Sequence, residues 1–102
     1  MSAPIVRCAP PAPGSPVPTL TLLSRAYCSL CDEMRDALAP VAAAAGCAVA
    51  VVDVDADAAL EEAWGDLVPV LFLGPPGAGN ELCHYRLDAM RVKDALEAAR
   101  RP

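Results

Sequence analysis

Two cysteines three positions apart, Cys28 and Cys31, are the residues of this chain best equipped for chemistry. The thiolate form of cysteine attacks disulfides and binds soft metals; the thiol does neither well. A C-x-x-C pair therefore admits three uses: a redox couple that opens and closes a disulfide, half of a metal site, or two small residues packed in a core. A zinc site needs four ligands. The chain has no second C-x-x-C, and Cys47, Cys83 and His84 are scattered without ligand spacing. Iron–sulfur ligation shared between two copies and a pair of inert thiols stand beside the redox use as alternatives.

The elements around the pair favour redox chemistry. Thr19 to Leu23 (TLTLL) is a short, β-favouring, almost wholly apolar run, as expected of a central strand covered on both faces. Ser24 to Tyr27 reads as a loop. Beyond it, Cys31, Met34, Leu38, Val41 and Ala45 recur at spacings of three and four, which places them on one face of a helix. Asp32, Glu33, Arg35 and Asp36 fall mainly on the other face. Pro40 predicts a kink or a weakened last turn, and Gly46 a stop.

Cys28 thus falls where a loop becomes a helix. The first amides of a helix have no intrahelical partner, and the helix dipole adds positive potential there; both favour thiolate over thiol. Cys31 lies one turn further in, on the sheet-facing side, so the pair can close a disulfide across the first turn. Cys28 then attacks and Cys31 resolves the mixed disulfide. Arg25 adds favourable charge, Asp32 and Glu33 oppose it, and Tyr27 borders the nucleophile and shapes the groove for substrate.

Further along, Cys47 to Asp55 reads as a second buried strand and ADAALEEAWG as a short helix ended by Gly65. VPVLFLG is a third strand opened by Pro69, PPGAGN a loop, and ELCHYR a short fourth strand. The closing helix has Asp88 as N-cap and Ala89, Val92, Leu96 and Ala99 as its core stripe. The order is β-α-β-α-β-β-α, an α/β fold. Its first two strands are parallel through a right-handed crossover and its last two form a hairpin. A mixed four-stranded sheet with helices on both faces follows. Proline inside a strand is disfavoured except at its start or at an edge. A cis Val68–Pro69 bond, expected here because it accompanies the C-x-x-C pair, would present the Val68 backbone beside Cys28, where an extended substrate could pair strand to strand; a trans proline opening the strand is the alternative. Asp53, Asp55 and Asp57 alternate like the start of a calcium loop, but the sixth and twelfth places hold Ala58 and Trp64, so the pattern fails.

A chain of 102 residues suits one domain, and 55% hydrophobic with 21% charged residues describes a globular one. Residues 1–18 are rich in Pro, Ala and Ser and read as a disordered tail, with the domain at 19–102. Cys8, in that tail, reads as an incidental thiol. A net charge of −5 argues against nucleic-acid and membrane-surface partners. No apolar run approaches the roughly 18 residues of a membrane span. The N-terminal segment lacks a signal-peptide core, so a cytoplasmic monomer is expected. In that reducing compartment, paired cysteines are more often catalytic or metal-binding than structural. The odd count of 5 cysteines also argues against a complete disulfide framework.

The run SRAYCSLC followed by a helix, with LVPV entering a strand, resembles the thioredoxin fold, and more narrowly the small glutaredoxin-like proteins, over about residues 19–100. Many glutaredoxins carry a basic residue three before the first cysteine, the place of Arg25. The resemblance implies Cys28 as nucleophile, Cys31 as resolving thiol and Pro69 as the cis-proline. It implies reduction of protein or glutathione mixed disulfides with no bound cofactor and with glutathione as a co-substrate. Its partners would be disulfide-bearing proteins, and glutathione or a thioredoxin-type reductase. The chain differs from glutaredoxins in having Ser29-Leu30 between the cysteines instead of Pro-Tyr, and Leu67 instead of Thr before Val-Pro. It also has Tyr85-Arg86 where a Gly-Gly pair is usual. Arg86 and the start of the last helix at Asp88 are then the candidate carboxylate-binding groups. A non-catalytic thioredoxin-fold binding module, or an iron–sulfur carrier, is the alternative class.

Overall fold

The computed structural model describes residues 5–7 and 19–100. Its elements are β1 (Ile5–Arg7), β2 (Thr19–Ser24), α1 (Ser29–Ala45), β3 (Ala48–Asp53), α2 (Ala58–Trp64), β4 (Val70–Leu73), β5 (Glu81–His84) and α3 (Ala89–Arg100). One sheet takes them in the order β1-β3-β2-β4-β5. β2 and β3 run parallel, with Leu22 opposite Val51, and β4 lies antiparallel to β2, with Leu23 opposite Val70. β5 is antiparallel to β4 and carries a register shift at Leu71/Phe72.

The central position of β2 explains its composition. Leu20 and Leu22 join α1 and α3 in one core with Met34, Leu38, Leu71, Val92 and Leu96. Leu23, one residue out of phase, joins Val54, Val70 and Phe72 on the opposite face, packed by Leu60 and Trp64 of α2. Side chains alternate across a strand, so a strand covered on both faces must be apolar at nearly every position. Thr21 is the buried polar exception, and its hydroxyl donates to the Gly74 carbonyl at 2.7 Å. Trp64 meets Phe72 edge to face, with ring centroids 4.9 Å apart.

α1 buries Cys31, Met34, Leu38, Val41 and Ala42 and continues through Pro40 to Ala45. Pro40 removes only the amide that would have donated to the Asp36 carbonyl. The helix closes at Gly46, whose φ of 66° suits glycine. The Gly46 amide reaches the Ala43 carbonyl and the Cys47 amide the Ala42 carbonyl, both at 3.1 Å. Those two bonds make a Schellman closure.

Three boundaries differ from the sequence reading. Ile5–Arg7 adds a fifth strand at the edge, antiparallel to β3. The rest of the segment read as a tail, with Cys8, lies outside the described residues. β5 stops at His84 because Tyr85 turns to a φ of 65°. β3 begins after Cys47 and is half-buried over much of its length, since α2 is short and buries none of its own residues fully. Among the described residues, no helix is long and apolar enough to cross a membrane.

Phe72 is fully buried in the smaller of the two cores. Phe72→Ala is expected to destabilise the domain by about 3–5 kcal/mol, measured as a lowered midpoint in urea unfolding with an unchanged slope.

Candidate active site

The sheet topology brings several loops to one end. β2 ends there at Ser24, level with Asp53 at the end of β3. β4 begins at Val70 opposite Leu23, so Pro69 enters the sheet at the same end. β5 finishes opposite Val70 at His84. The Tyr85 amide then donates to the Pro69 carbonyl at 2.9 Å, which ties the β5–α3 turn to the start of β4. The Val68–Pro69 peptide is cis; Pro69 is fully buried and Val68 half-buried.

Between β2 and α1, Tyr27 adopts a φ of 58° and stands fully exposed. The next residue, Cys28, is extended (φ −111°, ψ 106°) and is the N-cap of α1. Its sulfur accepts the Cys31 amide at 3.2 Å, and its carbonyl accepts the Asp32 amide at 3.2 Å. The sulfur thus takes the place a Ser or Asp oxygen usually fills at a helix start. Cys28 and Cys31 are joined as a disulfide, with Cα atoms 5.2 Å apart. The pair is asymmetric: Cys28 is half-exposed, whereas Cys31 is 1% exposed beneath the first turn.

Arg25 is drawn to the other side of this loop. Its guanidinium meets Asp55 at 3.0 Å, Glu61 at 3.4 Å and the Gly65 carbonyl at 3.3 Å. The hydrogen bonds to Asp55, opposed by some desolvation, raise its already high pKa further. Its charge is compensated by carboxylates, and it tethers the Cys28 loop to the α2 side. The aspartates that mimic a calcium loop are each engaged locally. Asp53 accepts the Asp55 amide, Asp55 holds Arg25, and Asp57 caps α2 through the Ala59 and Leu60 amides.

On the opposite flank, a groove of about 650 Å³ opens beside the Cys28–Cys31 turn. α1 contributes Leu30, Glu33 and Met34 to it, and the β5–α3 turn contributes Tyr85, Arg86 and Leu87. Tyr85 is pinned there, its hydroxyl donating to the Asp66 carbonyl at 2.9 Å and its ring set edge-on to His84. Asp88 starts α3: its carboxylate accepts the Arg91 amide at 3.1 Å and its carbonyl the Val92 amide at 3.0 Å. The structure thus brings Cys28, Cys31, Tyr27, Val68, Pro69, Arg86 and Asp88 to one end of the sheet, with Arg25 turned toward acidic partners. Tyr85 and Glu33 are additions to that set. A tyrosine at positive φ is rare, and nothing local in the sequence marks this one. Glu33 was visible in the sequence only as a charge opposing the thiolate.

A central β-α-β unit, a crossing hairpin and a cysteine pair closed across the first turn of the helix after the central strand define a thioredoxin-fold protein. Within that class, the chain belongs to the family of the glutaredoxin-like domain (DUF836), whose model matches residues 19–97. It is similar to the solved structure of target protein XcR50 from X. campestris, with 41% identity over 78% of this chain and 96% of that one, at a TM-score of 0.58. It is also similar to the protein Ne2328 from Nitrosomonas europaea, with 31% identity over 79% and 93% of the two chains and a TM-score of 0.70. A mutant thioredoxin from Halobacterium salinarum NRC-1 shares 26% identity over 84% of this chain and 77% of its own, at a TM-score of 0.59. Among curated proteins, none matches the chain.

The thiols are graded by access. Cys47 is buried, and its sulfur lies 3.6 Å from the Ala42 carbonyl. Cys83 is half-buried, and burial raises its pKa above that of an exposed thiol, with a smaller opposing pull from the Asp88 backbone. After reduction, iodoacetamide at neutral pH is expected to label Cys28 at least about tenfold faster than Cys83, since thiolate content and exposure set the rate. Cys31 and Cys47 should lag further. The Cys83 rate should rise only at a pH above that of an ordinary exposed thiol, because its anion is the disfavoured form. Peptide mapping by mass spectrometry reads all four sites.

Proposed function

We propose that the protein is a thiol–disulfide oxidoreductase that reduces protein or glutathione mixed disulfides. The observation that carries this reading is the asymmetric pair: a half-exposed Cys28 whose sulfur holds the Cys31 amide, and a buried Cys31 within bonding reach. An amide aimed at a sulfur favours its anion, and the opening of a helix adds to that preference.

In the reduced protein, the Cys28 thiolate attacks one sulfur of a substrate disulfide. A Cys28–substrate disulfide forms, the substrate's own bond breaks, and the departing thiolate takes a proton from water. Cys31 then loses its proton and attacks the Cys28 sulfur, closing the pair and releasing the second substrate thiol. Two electrons pass from the pair to the substrate, and the intramolecular disulfide is the oxidised end state. Two equivalents of a thiol such as glutathione, or a dithiol reductase of thioredoxin type, restore the pair. The protein needs no resident cofactor for this cycle.

Burial of Cys31 fixes the order, because a bulky disulfide reaches only Cys28. Val68 and Pro69 are the backbone edge on which an extended substrate lies, and Tyr27 overhangs its approach. Arg86 and the α3 start at Asp88 are the groups for a substrate carboxylate or backbone carbonyl. Arg25 holds the loop rather than the substrate. A reducing compartment, the cytoplasm, suits a pair that must be reduced to act, and the monomer is the working unit. Nucleic acid and membrane are not partners of an acidic surface of this kind.

Cys28→Ser should bring disulfide reduction to the uncatalysed rate. Cys31→Ser should retain monothiol exchange with glutathione yet accumulate mixed disulfides with protein substrates, seen as thiol-sensitive bands on non-reducing gels. Full disulfide reductase activity in Cys28→Ser would falsify the assignment.

A further inference from the structure

The groove beside the Cys28–Cys31 turn is lined by two carboxylates, Glu33 and Asp36, and one guanidinium, Arg86. Leu30, Glu33, Met34 and Ala37 follow the helical spacing of three and four, so they form a stripe on α1 that begins between the two cysteines. From Leu30 to Ala37 the stripe runs about 10 Å at 1.5 Å per residue. An extended polypeptide covers that length in about three residues. Met34 lies in the floor, fully buried, and Glu33 and Asp36 stand exposed in the lining.

Among the described residues, no cation pairs with these two carboxylates. Asp32, their neighbour on the helix, is matched by Arg35 at 3.1 Å, whereas among the described residues neither Glu33 nor Asp36 has an ion-pair partner. Arg86 is the cation in the lining and is outnumbered. The pattern is that of a site that gains by receiving positive charge. Glutathione carries two carboxylates against one ammonium group, so it brings the wrong net sign.

We propose that Glu33 and Asp36 are specificity-determining residues. They make the preferred substrate a disulfide-bearing polypeptide with a Lys or Arg about three residues from its reactive cysteine, and they disfavour anionic disulfides such as oxidised glutathione. This rests on the oxidoreductase reading and adds the substrate class. The cysteine of the substrate meets Cys28, its chain follows the stripe across Leu30 and Met34, and its cationic side chain lies between the two carboxylates. Arg86, on the facing wall, is left to hold the substrate backbone.

The test uses the pre-reduced full chain in single-turnover exchange with disulfide peptides that differ only in carrying Lys or Glu three residues on either side of the cysteine, with oxidised glutathione as a third substrate. At low salt the Lys peptide should react roughly three- to tenfold faster than the Glu peptide, the size expected of two exposed charge contacts. That ratio should approach one in about 0.5 M salt, where screening is strong. The double variant E33Q/D36N should lose most of the ratio, whereas E62Q/D94N, which removes the same net charge from α2 and α3, should keep it. A ratio near one in the unmodified protein, a ratio that survives E33Q/D36N, or equal loss in both double variants overturns the proposal while leaving oxidoreductase activity intact. Absence of exchange with all three substrates overturns the oxidoreductase reading and this proposal with it.

Discussion

One hydrogen bond organises this end of the molecule: the Cys31 amide donates to the Cys28 sulfur at 3.2 Å. It requires a helix to begin at Ser29, a residue before it in extended conformation, and a second cysteine where the first turn comes round. A helix start normally fills its empty donors with a hydroxyl or carboxylate oxygen. Here a sulfur does so, and the group that caps the helix is also the more exposed half of the cysteine pair. Loss of the cap weakens the helix, and displacement of the helix removes the donor from the sulfur.

The rest of the fold holds that junction still. β2 is buried on both faces and delivers the chain to the loop from the centre of the sheet. Arg25 fastens the near side of the loop to Asp55, Glu61 and the Gly65 carbonyl. The far side is closed by Tyr85, whose amide and hydroxyl reach the Pro69 and Asp66 carbonyls. The Arg25 ion pairs are exposed and worth little alone. Their value is geometric, since they join segments that are distant in sequence.

The sequence made the centre of this arrangement legible and its margins much less so. β2 and α1 were readable because burial writes a direct pattern: a continuous apolar run for a strand covered twice, and a three-four spacing for a helix covered once. The cysteine pair was readable because it sits at the joint between those patterns. The destination of Arg25 was not, because its partners lie 30 to 40 residues away and are brought to it only by the parallel β2–β3 pairing. The turn at Tyr85 was equally hidden: a Tyr-Arg pair after an apolar strand looks like more strand, and only the bonds to Pro69 and Asp66 show why it bends. The strand at Ile5–Arg7 depends on an open edge of β3, which no local pattern announces.

Arg25 also bears on where the positive potential at Cys28 comes from. With its charge balanced by Asp55 and Glu61, the nearest fixed source is the backbone: the Cys31 amide and the other unpaired donors of the first turn. Side-chain charges in water are screened over roughly 10 Å at moderate salt. An amide in hydrogen-bond contact with a half-buried sulfur is screened far less and cannot swing away. The same distinction separates the two halves of the site. The Cys28 sulfur faces backbone dipoles that tolerate salt, while the groove beside it is lined by exposed carboxylates that do not. Ionic strength therefore acts on the field of the groove more than on that of the sulfur.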